Sequence, residues 1–309
     1  MSRGERALWL VPVAALFLLP GYLVLGSQIL IYALFALSLD LVLGYAGIVS
    51  LGHAAFFGIG AYAAGLLSAH GWGEPLTGLA VAGAAAGFAG LVAGPLVVRG
   101  SDLTRLMVTL GLGLLLYEAA NRAAAITGGV DGLSGVTTWK LLGVMPFDMQ
   151  GRTAYLYTFA VLLAGFLFLR RVTRSPFGLS LRGIRENRDR MAALGVPVAR
   201  RLIGAFALGA AVAGVAGALL AQTTQFVGLD VLSFNRSAEL LIMLVLGGAG
   251  RLYGAIIGAA VFMIAQDYLS GIDPVYWQFW LGLLLVAFVF FARGGILGAL
   301  AGAWDRWRN

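Results

Sequence analysis

The 309-residue chain has no cysteine, one lysine and two histidines. Without cysteine there is no disulfide, no thiolate metal site and no cysteine nucleophile. His53 and His70 are too few for a multi-histidine metal centre. Charge is also scarce: 11% of residues are Asp, Glu, Lys or Arg, against roughly 25% in a soluble globular domain. A chain folded in water needs polar surface, and a content of 60% hydrophobic residues leaves too little of it. This composition excludes a soluble enzyme, a nucleic-acid-binding domain and a disordered segment. It leaves a chain whose outer surface faces lipid.

Catalytic motifs are missing as well. No Gly-x-x-x-x-Gly-Lys-Ser/Thr occurs, and the single lysine, Lys140, follows Trp139. The chain therefore has no P-loop with which to bind ATP. There is no His-Glu-x-x-His and no Gly-x-Ser-x-Gly at a strand-to-helix turn. Asp40, Glu118, Glu239 and Asp267 all fall near the ends of apolar runs. This scarcity of mid-membrane carboxylates argues against a self-sufficient ion-coupled carrier.

What is present is a succession of continuous apolar runs. A bilayer core of about 30 Å needs roughly 20 helical residues. The runs predict spans near 7–25, 28–43, 54–70, 76–98, 105–125, 153–171, 202–222, 237–250, 252–270 and 275–292. The first follows Arg3 and Arg6 and is long enough to be a retained helix rather than a signal peptide. The runs 28–43 and 237–250 are short and 54–70 is glycine-rich, so one of them is a candidate broken or re-entrant helix. The runs do not alternate as barrel strands do. The expectation is an all-α polytopic transmembrane helix bundle of about ten spans, forming one membrane domain over 1–309.

The net charge is +7, from 21 basic and 14 acidic residues. With both termini cytoplasmic, seventeen of the basic residues fall inside, nine of them arginines between Arg170 and Arg201. Arg122, Lys140, Arg152 and Arg236 remain outside. That asymmetry follows the positive-inside rule. Small residues at four-residue spacing, which let helices approach closely in lipid, line three helices: Gly83, Gly87, Gly90 and Gly94; Gly209, Ala213, Gly217 and Ala221; Gly250, Gly254 and Gly258. These faces serve packing within the subunit or contact with a second one.

Three segments interrupt the membrane pattern. The first contains Gly44, Tyr45, Gly47, Ser50, Gly52 and His53. Its glycines weaken helix, and non-helical backbone at membrane depth survives only beside protein or water. Asp40 precedes it, and a carboxylate there needs a polar interior or a partner. A plain turn is the competing reading, and His53 alone reads equally as a hydrogen-bonded structural residue. The second is an outer loop, about 126–152, with Thr127, Gly128, Gly129, Asp131 and Gly132. It is either a cradle of backbone amides for a ligand or partner, or a solvated turn. The third is the inner loop, about 170–201. Ser175 before Pro176 starts a helix, and Gly195 before Pro197 stops it. Between them Ile184, Met191, Ala192 and Leu194 supply an apolar side. This reads as a docking element for a soluble partner, or as a solvated basic loop.

Together these segments resemble a permease subunit of a branched-chain amino acid ABC importer, of the LivM type. The resemblance covers roughly residues 30–300. It rests on Gly44-Tyr45-Ala46-Gly47 with Ser50-Leu51-Gly52-His53 and Gly58-Ile59-Gly60-Ala61-Tyr62, and on Thr127-Gly128-Gly129-x-Asp131-Gly132. It rests also on Ser175-Pro176-Phe177-Gly178 through Arg185-Glu186-Asn187 to Ala192-Ala193-Leu194-Gly195, and on Gly247-Gly248-x-Gly250-x-x-x-Gly254 with Gly258-Ala259. Glu186 lies six residues before Ala192, whereas many ABC permeases place a Glu directly before the Ala-Ala pair. Arg251, Tyr253 and Ala255 also depart from the family pattern.

The resemblance implies a bacterial or archaeal cytoplasmic membrane and a second, related permease as partner. It also implies two cytoplasmic ATPases that hold ATP and Mg, and an external substrate-binding protein. No cofactor is implied on this chain, and no nucleic acid as partner. Arg185, Glu186, Asn187, Ala192, Ala193 and Gly195 would form the coupling element that docks on an ATPase. Thr127, Gly128, Gly129, Asp131 and Gly132 would lie on the binding-protein side. Asp40, Gly44, Tyr45, Gly47, Ser50 and His53 would be pathway elements. Branched-chain or other aliphatic amino acids are the implied substrates, with urea or short amides as the alternative within the family. An autonomous channel or secondary carrier is the alternative of another class. The importer reading predicts that the purified chain alone shows no uptake in vesicles. Robust uptake without ATPase subunits or ATP would reject it.

Overall fold

The computed structural model describes residues 3–18, 20–141, 145, 151–283, 295, 296 and 298. The described residues are overwhelmingly helical and contain no strand beyond two isolated β-bridges. Twelve α-helices follow one another: α1 Arg3–Leu18, α2 Leu23–Leu39, α3 Ala54–Ala69, α4 Pro75–Val98, α5 Asp102–Arg122, α6 Ala124–Thr127, α7 Arg152–Arg174, α8 Pro176–Glu186, α9 Arg188–Ala193, α10 Val198–Thr224, α11 Phe234–Gly247 and α12 Leu252–Ile272. Among the described residues, six helical stretches are long and apolar enough to cross a membrane: Pro20–Tyr45 and the helices α4, α5, α7, α10 and α12.

The predicted spans and the helices agree in type and differ in where the chain turns. The first expected span, 7–25, is not one helix. Helix α1 ends at Leu18, and a 3₁₀ turn, Pro20–Tyr22, leads into α2. Pro20 has no amide to continue the first helix, and its fixed φ suits the start of the next. The second span then runs for 26 residues, Pro20–Tyr45, about 39 Å at 1.5 Å per residue, where a short run at 28–43 was expected. After α12 the chain is helical again over residues 277–283. The rest of the last expected span, and Arg293, Arg306 and Arg308, lie outside the described residues.

Helices α3 and α11 are too short to cross. At 1.5 Å per residue, α3 (16 residues) and α11 (14 residues) extend about 24 and 21 Å, less than the ~30 Å of hydrocarbon. Each follows a long helix and a non-helical stretch: α2, then residues 46–53, then α3; and α10, then residues 225–233, then α11. The long helices run antiparallel. Gly209 of α10 lies against Ser38 and Val42 of α2, while Thr224 shares a cavity with Gln28. The two short helices meet near their N-terminal ends, where the Ala54 amide donates to Ser237 Oγ at 3.0 Å. The fold thus places two broken-helix units in opposite directions around a common centre. Sequence reasoning expected one such break.

The glycine stripes bind the bundle internally. Gly83, Gly87, Gly90 and Gly94 of α4 face Val215, Ala211, Ala210 and Ile203 of α10. On the other side of α10, Gly217 sits against the Phe57 backbone of α3. Gly254 and Gly258 of α12 pack on Gly247 of α11. All three stripes therefore serve packing within the subunit. Helix α10 is the axis of this arrangement, with α2, α3 and α4 around it. At Gly217 any Cβ would fall on the Phe57 carbonyl oxygen.

Gly217→Val is expected to destabilise the detergent-purified chain by about 1–3 kcal/mol, the range of overpacked cores. Gly111→Val, where a Cβ meets nothing within 4 Å, stays within about 0.5 kcal/mol. Apparent melting temperatures followed by tryptophan fluorescence check both.

Candidate functional site

Three of the segments singled out in the sequence converge at the C-terminal end of the Pro20–Tyr45 span. That end is a π-helical turn, Asp40–Tyr45. Its wider winding is carried by the Ala46 amide on the Leu41 carbonyl at 3.2 Å and the Ile48 amide on the Val42 carbonyl at 2.9 Å. Such turns recur where function requires a local departure from the α ladder. Asp40 is fully buried, and its Oδ1 accepts from the Gly250 amide at 2.6 Å. Gly250 has φ +85, a left-handed conformation open to glycine. It closes the turn between α11 and α12. The Gly44 carbonyl has no further helical turn to pair it, and the Arg185 guanidinium of α8 donates to it. Arg182 of α8 lies over the Tyr45 ring at 4.9 Å. Gly47, φ +71, is covered by the aliphatic stem of Arg185. One latch therefore joins the first break, the glycine turn after α11, and helix α8.

The inner loop holds two helices, where one was expected. Ser175 Oγ accepts from the Gly178 amide, and Pro176 occupies the first helical position of α8. Asn187 is extended, φ −157 and ψ 106, and its Oδ1 accepts from the Arg190 amide at 2.8 Å to start α9. The side chain that caps one helix thus ends the other. Helix α8 buries Gly178, Leu181 and Ile184, whereas α9 buries nothing. Glu186, Ala192, Ala193 and Gly195 are exposed. Gly195, φ +80, forms the expected left-handed stop. Leu194 is 71% exposed.

Beyond the latch, residues 46–53 turn back into the bundle. Leu51 donates its amide to Thr109 Oγ1 at 3.2 Å. His53 is wholly buried, 2.9 Å from Ser38 Oγ through Nε2, with the ring stacked on Phe35 and edge-on to Phe56. These contacts suit a structural histidine. Ser50 Oγ is buried with no partner among the described residues.

The outer segment is stitched to its surroundings. Thr127 Oγ1 donates to the Ala120 carbonyl and accepts from the Gly129 amide at 3.2 Å. The Gly128 and Gly132 amides bond to the Ala124 and Gly129 carbonyls. Leu133 pairs with Val227 in both directions. Ser68 donates to the Thr137 carbonyl, and the Trp139 amide to the Gly73 carbonyl at 2.7 Å. The backbone amides of Gly128, Gly129 and Gly132 are thus taken up within the chain. Val130 and Asp131 stand out into the open.

One charged cluster escaped sequence reasoning. Arg236, expected in an outer loop, lies over the ring of Tyr32 at 5.4 Å. Tyr32 is 12 residues from one end of the Pro20–Tyr45 span and 13 from the other, so Arg236 sits beside the middle of that helical stretch. It bonds Asp230 at 2.7 Å and Glu239 at 3.0 Å, and its side chain is 21% exposed. Because α11 starts part-way along the bundle, charges that read as belonging to a span's end are carried inside it. The signal that was available is the shortness of run 237–250 with two charges beside it.

These features belong to a membrane permease, and sequence comparison gives the family. The chain matches the branched-chain amino acid transport system / permease component family over residues 22–292 and belongs to it. It is 30% identical to the high-affinity branched-chain amino acid transport system permease protein LivM of Salmonella typhimurium strain LT2, over 94% of this chain and 73% of that protein. It is likewise 30% identical to LivM of Escherichia coli strain K12, over 90% of this chain and 70% of the relative. The permease protein LivH of Escherichia coli strain K12 is 27% identical over 89% and 92% of the two chains. No solved structure matches the chain significantly. The chain is thus a transporter membrane subunit and not itself an enzyme.

Removing the buried acceptor at Asp40 strands the Gly250 amide, at a cost of about 1–3 kcal/mol. Asp40→Ala is expected to speed hydrogen–deuterium exchange across residues 247–252, whereas Asp40→Asn, which keeps an acceptor oxygen, stays close to the parent. Equal exchange in Asp40→Ala and the parent would remove the latch from the account.

Proposed function

We propose that this chain forms the translocation pathway of an ATP-driven importer for branched-chain or other aliphatic amino acids in a bacterial or archaeal cytoplasmic membrane. A related permease completes the pathway. Two cytoplasmic ATPases hold ATP and Mg, and an external binding protein delivers the substrate. The resemblance to both LivM and LivH, which are named as permease proteins of one kind of transport system, supports pairing of two related subunits. The arginine-rich segment 170–201 supports a cytoplasmic position for α8 and α9.

A single observation carries the coupling role. The α8–α9 hairpin is bonded to the bundle on one side and bare on the other. Arg185 ties α8 to Gly44, while Ala192, Ala193 and Leu194 present apolar surface to solvent. An ATPase docked on α9 would push on α8, and the push would reach the π-helical turn and the Gly250 turn together. Glu186 and Gly195 flank the contact surface. Asp40, Gly44, Tyr45 and Gly47 then act as transmission elements, with Ser50 and His53 in the broken segment behind them. Val130 and Asp131 mark the face for the binding protein.

Replacing Glu186 or Gly195 is expected to uncouple ATP hydrolysis from uptake in the complete transporter, while the external protein still binds its ligand. Unchanged ATP-driven uptake in both variants would reject the docking role.

A further inference from the structure

Asp230 and Arg236, two members of the Asp230–Arg236–Glu239 triad, border a cavity of about 310 Å³. The space lies between the first half of α2, the ends of α10 and α12, and the non-helical stretch before α11. Gln28, Thr224 and Gln266 contribute polar groups to its wall, and Leu220, Val231 and Met263 contribute apolar ones. Its volume falls at the small end of ligand pockets.

Charge at this depth is costly and needs a reason. Replacing an ion-pair triad with well-packed apolar side chains is often neutral or stabilising. A triad that only clamped residues 229–232 to α11 would also need no open space beside it. The charges themselves select a ligand class. Two carboxylates and one guanidinium repel a free anion through the carboxylates and a free cation through the arginine. A molecule carrying both charges, as two groups on one carbon, satisfies both. The two ion pairs use two of the five guanidinium donors, which leaves donors for a ligand carboxylate. The Asp230 carboxylate, 61% exposed, has acceptor capacity for an ammonium. The position agrees with a general rule: discontinuous membrane helices place binding sites where a half-helix begins. Ser233 caps α11 here, its Oγ accepting from the Arg236 amide at 3.2 Å.

We propose that this cavity is a substrate site that holds an aliphatic α-amino acid as its zwitterion, with its two charges on the Arg236 triad and its side chain against Leu220, Val231 and Met263. The proposal rests on the importer reading above and names the place where that importer holds its cargo within this chain.

The test titrates L-leucine into the purified complete transporter without the external binding protein. It then measures ATP-driven leucine uptake by the same complex in proteoliposomes with that protein present. Asp230→Asn removes the carboxylate offered to the ammonium, and Thr224→Trp fills the cavity from an exposed position at the end of α10. Both are expected to weaken leucine binding and uptake about tenfold or more, the scale of one lost charge-assisted contact. ATP hydrolysis stimulated by loaded binding protein should persist. The singly charged probes 4-methylpentanoic acid and 3-methylbutylamine should bind about tenfold more weakly than leucine. Thr224→Trp decides the matter if Asp230→Asn fails to assemble. The site is overturned by leucine binding within about twofold of the parent in the assembled variants, by a parent that binds no leucine, or by acid or amine binding as well as leucine. A parent complex that takes up other solutes and no aliphatic amino acid overturns the importer reading itself. Leucine uptake by the parent with unaltered variants overturns the site alone.

Discussion

Every break in a helix inside this bundle leaves amides and carbonyls that lipid cannot pair, and the rest of the structure is arranged around supplying their partners. The chain does so with a small number of long-range bonds. Asp40 receives the Gly250 amide from 210 residues away. Arg185 reaches the Gly44 carbonyl, and Ser237 receives the Ala54 amide. Each bond ties a broken segment to a different part of the chain, so no break is held by local bonds alone. This is why three sequence motifs with no evident relation end in one latch. It is also why the two short helices, α3 and α11, can begin inside the bundle.

That dependence gives the latch its directional character. On one side lies an exposed, basic hairpin; on the other, the turn that joins α11 to α12 and the π-helical end of α2. A displacement of α8 cannot be absorbed by Arg185 alone, because its acceptor belongs to a turn already pinned through Asp40. Asn187 separates the anchored helix from the bare one. Contact made at α9 therefore arrives at the membrane as movement of α8, and the wide π turn is a place where the main chain can take it up.

Much of this was legible in the sequence, and the parts that were not fail for physical reasons. Continuous apolar runs gave the helical class and placed helices within a few residues of seven of the expected spans, because a bilayer demands length and apolarity together. Ser175-Pro176 and Gly195 marked the ends of the inner hairpin because caps and left-handed stops have chemical signatures. The break at Asn187 was missed, since a capping residue inside a basic helix looks like one more polar position. Pro20-Gly21 was read through as part of a span, although proline there ends one helix and begins another. The largest miss was depth. Hydropathy reports that residues 237–250 are apolar, not that they start inside the bundle, so Arg236 and Glu239 read as flanking charges. The outer glycines were visible as a turn, but whether their amides faced a ligand or one another depended on Thr127 and on contacts from distant loops.

The glycine seam between α4 and α10 has a thermal consequence. Its two faces come together from lipid, not from water, so little apolar hydration is released when they meet. The heat-capacity change that makes soluble cores lose cohesion on cooling has its origin in that hydration. A seam built from Gly83, Gly87, Gly90 and Gly94 against α10 is held instead by close-range dispersion, which has no such temperature dependence. Cold should leave this axis of the bundle intact, and the lower thermal limit of the protein is then set by the lipid around it.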